Sequence, residues 1–70
     1  MDMRRLVGRN ALHFRRLRGL TQEQLSEKTG LTQQYLSGLE QGRRNPTVVT
    51  LYDLAQALGV SPADLITPRN

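Results

Sequence analysis

Along the chain, apolar residues return every three or four positions between polar stretches, and no alternating run is bounded as a strand. Val7, Ala11 and Phe14 share one helical stripe, and Leu20 follows the turn behind them. Leu12 lies off that stripe, on the surface or at a contact. Leu25 anchors a second segment, Leu36 and Leu39 a third, and Leu31 sits between them. A fourth carries Val48, Leu51, Leu54, Ala55 and Leu58, and a short fifth carries Leu65 and Ile66. Thr47-Val48-Val49-Thr50 is β-branched, but the spacing that follows is helical. The pattern predicts five helices, roughly 4–18, 22–29, 33–41, 48–58 and 62–66.

The punctuation agrees. Gly19, Gly30, Gly42 and Gly59 each close a helix-forming run, and Thr21, Thr32, Thr47 and Ser61 follow as caps for the next. Thr21 with Gln24 reads as a capping box. Ser61-Pro62-Ala63-Asp64 places proline at a first helical position and an acid near the positive end of the dipole. No repeat, linker or low-complexity tract interrupts the chain, and the terminal residues are expected to fray. The expected architecture is all-α, a compact five-helix bundle forming one domain over residues 1–70.

Composition narrows the chemistry. Seventy residues leave room for a small core only, and the absence of cysteine removes disulfides and thiolate metal sites. Stability must come from helix packing, helped by a dimer interface if one forms. No apolar run approaches a membrane span, and no apolar stretch follows the basic opening Met1–Arg5 to make a secretory signal. The net charge is +4, with nine arginines to one lysine. Arginine forks match phosphate and guanine, which points toward nucleic acid.

The second and third helices are joined only by Gly30, Leu31 and Thr32, and so short a connection makes them cross steeply. Ser26 is small where the backbones approach, and Gly30 tolerates the positive φ of the turn. Gly19–Ser26 resembles the start of the helix-turn-helix in Cro/phage-repressor-type domains, also called the xenobiotic-response-element regulator family. Thr32–Thr47 looks like the recognition helix and following loop of that family, and Leu54–Ser61 like its fourth helix and last turn. The resemblance covers about residues 7–66, with the helix-turn-helix itself at about 22–41. It implies a lambda-repressor-like DNA-binding fold, a dimeric mode of binding and transcriptional regulation. Two positions depart from the family pattern. Ser26 stands where alanine is usual. Gly38 stands where a long polar residue usually faces DNA; glycine there either permits close backbone approach or marks a position that is not read.

With Leu36 and Leu39 turned inward, Gln33, Gln34, Ser37 and Gln41 lie mainly on the opposite side and are the expected base contacts. Glutamine can pair with the adenine N6/N7 edge, and Thr32-Gln33-Gln34 resembles the opening of the recognition helix in some lambdoid phage repressors. Arg43 and Arg44, in the loop after the third helix, are expected on phosphate, as are Thr32 and the Tyr35 hydroxyl. Gln22 matches a family position that bonds the DNA backbone. Arg15 and Glu40 match positions that commonly hold arginine and glutamate in the family, which implies an ion pair. The family's two-fold contact often lies at the fifth helix, which implicates Val60, Leu65, Ile66 and Pro68.

No catalytic or metal-binding set stands out, and no cofactor or small-molecule ligand is expected. The lone His13 is expected on the solvated surface. The sequence therefore points to a sequence-specific regulator of duplex DNA, a repressor on a palindromic operator, working as a homodimer in the cytoplasm on nucleoid DNA. Antitoxins and restriction–modification controller proteins are small members of the same kind. A protein-interaction module on this scaffold is the rival reading from another class.

Overall fold

A computed structural model describes residues 1–69. Five helices follow one another: α1 (Met3–Leu17), α2 (Gln22–Thr29), α3 (Gln33–Glu40), α4 (Val48–Leu58) and α5 (Pro62–Ile66). The expected boundaries hold to within one residue at each end. Where fraying was expected, α1 already begins at Met3. Asp2 caps it, its Oδ1 accepting the N–H groups of Arg4 and Arg5 at 3.1 and 3.3 Å.

The core is built mainly from leucine. Leu25, Leu36, Leu39, Leu54, Leu58 and Leu65 are fully buried, with Val7, Ala11 and Ala55 among them. Phe14, Leu20, Leu31 and Leu51 close over this centre from its edge. The turn of the helix-turn-helix is fastened by a backbone bond and a side-chain bond, both at Ser26. Gly30 takes the left-handed conformation (φ 79°) and returns its N–H to the Ser26 carbonyl at 2.8 Å. The Ser26 hydroxyl donates to the Leu31 carbonyl, a bond the family's usual alanine could not make.

Several assignments change once the helices are packed. Val48, which shares the apolar spacing of α4, is nevertheless 81% exposed, and Val49 beside it 69%. Leu65, expected at a dimer contact, is fully buried in the monomer core and is not available to a partner. Its neighbour Ile66 is the exposed one, and Val60 is half-buried against the core. His13 is half-buried rather than solvated, with its ring edge-on to Phe14 at 5.1 Å between centroids.

Two α1 residues that the apolar pattern passed over organise the bundle. Gly8 is buried where α1 meets α3, and a β-carbon there would overlap the Leu39 carbonyl. Asn10 is buried three residues after Val7, on the core stripe itself. Its Nδ2 donates to the carbonyls of Asp64, Leu65 and Thr67 at 3.0–3.3 Å, and its Oδ1 accepts from Arg69 Nε at 2.9 Å. The two hydrogens of one buried amide thus serve three carbonyls at the end of α5, the longer Asp64 contact being shared. No described helix is long and apolar enough to cross a membrane.

Candidate nucleic-acid interface

The candidate interface centres on α3, the second helix of the helix-turn-helix. Leu36 and Leu39 anchor one side of it in the core, which leaves Gln34, Ser37, Gly38 and Gln41 as the opposite stripe at intervals of three and four. Gln33 and Gln34 are exposed in the first turn and make no side-chain hydrogen bond within the described chain. Thr32 is the N-cap. Its Oγ1 accepts the Tyr35 N–H at 3.0 Å, which leaves the hydroxyl proton free to donate outward.

The expected base contacts separate into two groups. Gln33 and Gln34 stand free. Ser37 and Gln41 bond to one another at the far end of the helix, Gln41 Nε2 donating to Ser37 Oγ at 3.1 Å. Gln41 also borders a groove beside Asp2, Arg5 and Arg9 at the start of α1. Reading by Ser37 and Gln41 would have to share or break that bond.

The phosphate candidates lie on both flanks. Arg43 and Arg44 are exposed in the loop after α3, and Arg43 N–H donates to the Gly38 carbonyl at 2.8 Å, folding the loop back over the last turn. The guanidinium carbon of Arg44 lies 5.4 Å from the centroid of the half-buried Tyr35 ring. On the other flank, the capping box of α2 is complete. Thr21 Oγ1 accepts the Gln24 N–H at 3.0 Å, and Gln24 Oε1 accepts the Thr21 N–H at 2.9 Å. The N–H groups of Gln22 and Glu23 have no carbonyl one turn before them, so the positive end of α2 is open to an anion.

The Gln22 side chain is engaged elsewhere. Its Nε2 donates to Glu40 Oε1 at 2.8 Å. Glu40 in turn faces Arg15 in a two-pronged pair, Nε to Oε2 at 2.6 Å and Nη2 to Oε1 at 3.1 Å. Arg15 Nη1 reaches the Leu20 carbonyl at 2.8 Å. With side chains only 13% and 6% exposed, this network ties α1, the start of α2 and the end of α3 together and so holds α3 in place. The family resemblance implied the ion pair but not the glutamine that completes it.

Comparison with known proteins accords with this geometry. The pattern of the helix-turn-helix family (HTH_3) matches residues 13–65. The chain belongs to this family. It is 65% identical over 70 residues to the HTH-type transcriptional regulator y4dJ of Sinorhizobium fredii, covering all of this chain and 91% of that one. It is 39% identical over 67 residues to the control protein C.SmaI of Serratia marcescens, covering 96% and 80% of the two chains. Among solved structures, the restriction-modification controller protein C.AhdI of Aeromonas hydrophila superposes with a TM-score of 0.84 at 35% identity, over 89% of this chain and 94% of that one. The protein is a DNA-binding transcriptional regulator on an all-helical helix-turn-helix fold.

Proposed function

We propose that the protein reads a palindromic operator as a homodimer and represses transcription by occupying it. The first turn of α3, with Gln33 and Gln34 exposed and uncommitted, carries this reading. These side chains take base edges in the major groove. Arg43 and the open start of α2 hold phosphates on either side, with Thr32 beside them. The stretch 1–70 works as one binding unit, a binding module rather than an enzyme, on DNA in the cytoplasm. Two-fold pairing uses the outer side of α5. Ile66 and Met3, each about half exposed, rim one groove floored in part by Val7 and Leu51, and Pro68 lies exposed beyond α5. Half-sites then repeat about one helical turn apart, ~34 Å.

Selection of bound duplexes from a random pool tests the scheme, and a palindromic consensus is the expected result. On that operator, Gln33→Ala should cost about 1–3 kcal/mol, and much less on random DNA. Arg43→Ala should weaken binding to both DNAs and flatten the log affinity–log salt slope by about 0.9 per lost phosphate contact. Equal losses for Gln33→Ala on both DNAs would refute its reading role. Transcription from a promoter carrying the operator should fall as protein is added.

A second reading, a controller of restriction–modification genes, is favoured by the likeness to C.SmaI and C.AhdI. It uses the same interface and differs only in the promoter served, so the selected operator, sought upstream of restriction genes, distinguishes them.

A further inference from the structure

Gly38 lies on the outward stripe of α3, between Gln34 and Gln41, where a helix position normally faces solvent. It is nevertheless buried. Its cover is Arg44: a β-carbon on Gly38 would stand 3.1 Å from Arg44 Nε, 3.4 Å from Cγ and 3.7 Å from Cδ. The stem of Arg44 therefore runs across the bare backbone of Gly38. Its guanidinium ends beside the Tyr35 ring. The loop that carries it is pinned by the hydrogen bonds of Arg43 N–H to Gly38 O and Gly42 N–H to Leu39 O, at 2.8 and 3.0 Å. No described carboxylate lies within salt-bridge distance of Arg44.

We propose that Gly38 and Tyr35 are positioning residues that seat Arg44 on the reading face of α3, making it a base-reading arm for guanine rather than a loose loop cation. The proposal rests on the DNA-binding reading above and deepens it. Three features of the chemistry support it. A glycine in mid-helix costs helix stability, and here the missing side chain leaves a slot of the right width. Arginine stacks on an aromatic ring while keeping its donor edge free, and that edge matches guanine O6 and N7. Ordering the side chain before DNA arrives reduces the entropy lost on binding. Arg44 thus fills from the loop the space that a long side chain at position 38 would fill from the helix.

Gly38→Ala separates this role from a structural one. The added methyl meets the movable stem of Arg44, not backbone, and alanine favours the helix, so thermal stability should rise. Operator affinity should fall about tenfold or more, with a smaller loss on random duplex and an unchanged salt slope, because the charge remains. Arg44→Ala should relax the preference for one guanine in each half-site. Gly38→Ala added to Arg44→Ala should cost nothing further on the operator. Tyr35→Leu should lose affinity in the same Arg44-dependent way.

An operator affinity untouched by Gly38→Ala would overturn the proposal, as would an equal loss in the Arg44→Ala background. So would an Arg44→Ala variant that keeps its consensus and loses only salt slope, since that behaviour belongs to a phosphate contact. Wild-type protein that bound no duplex would overturn the regulator reading and this one with it. Wild-type binding with these variants silent overturns this one alone.

Discussion

The backbone of Gly8 on α1 packs directly against the Leu39 carbonyl at the end of α3, with no space for a β-carbon between them. The obstacle to a larger residue is a backbone carbonyl, which cannot swing aside as a side chain would. Gly8→Ala gains about 1 kcal/mol of helix propensity. Overpacking costs about 1–3 kcal/mol, and against a backbone carbonyl this close the upper end applies, so the net effect is a loss. We expect a lower melting temperature and, because α3 must shift, weaker operator binding. Calorimetry with a titration on operator DNA checks both; a stabilised variant would show that α1 and α3 can separate freely.

Arg15 and Glu40 should be strongly coupled. The pair is two-pronged and nearly buried, so removing one partner strands the other and costs about 3–5 kcal/mol. A domain of this length has only about 3.5–10 kcal/mol in hand. Arg15→Ala and Glu40→Ala should each approach unfolding, and the double variant should cost clearly less than the sum. Urea titrations of the four proteins measure the coupling, and additive losses would contradict it.

Asn10 should hold α5 to the bundle. Asn10→Ala strands carbonyls of Asp64, Leu65 and Thr67 in a partly buried place, at about 1–3 kcal/mol. Asn10→Asp should be worse at neutral pH, because it sets carboxylate oxygens against carbonyl oxygens. Amide exchange should speed up in residues 63–67 ahead of the helix-turn-helix; uniform acceleration across the chain would argue against a local tether.

Ile66→Asp should leave the monomer folded, since surface substitutions usually change stability by no more than about 0.5 kcal/mol. It should abolish dimers in sedimentation and lower affinity for a full operator far more than for a half-site. Leu65→Ala is a different case: its side chain is core, and a loss of about 2–5 kcal/mol is expected in the monomer itself. If Ile66→Asp remained dimeric, α5 would not be the two-fold contact.

The helices and their ends were legible in the chain because they follow from local rules. Three- and four-residue spacing, Thr21, Thr32 and Thr47 as caps and the left-handed turn at Gly30 all act within a few residues of themselves. The free face of α3 was legible for the same reason: once Leu36 and Leu39 point inward, helix geometry decides where Gln33 and Gln34 lie. What depended on distant parts of the chain was not. Val48 keeps helical spacing with Leu51 and Leu58 yet is exposed, because periodicity gives a direction around an axis but not what packs against it there. Gly8 and Asn10 acquire their meaning only from the Leu39 carbonyl and the end of α5, 31 and 54–57 residues away. Gly38 reads as a gap until Arg44 folds over it. The sequence by itself determined which segments are helices and which side of each is apolar. Only the tertiary structure decided how deep each residue sits and which polar groups meet, because close packing and hydrogen bonding are properties of pairs that the chain brings together from afar.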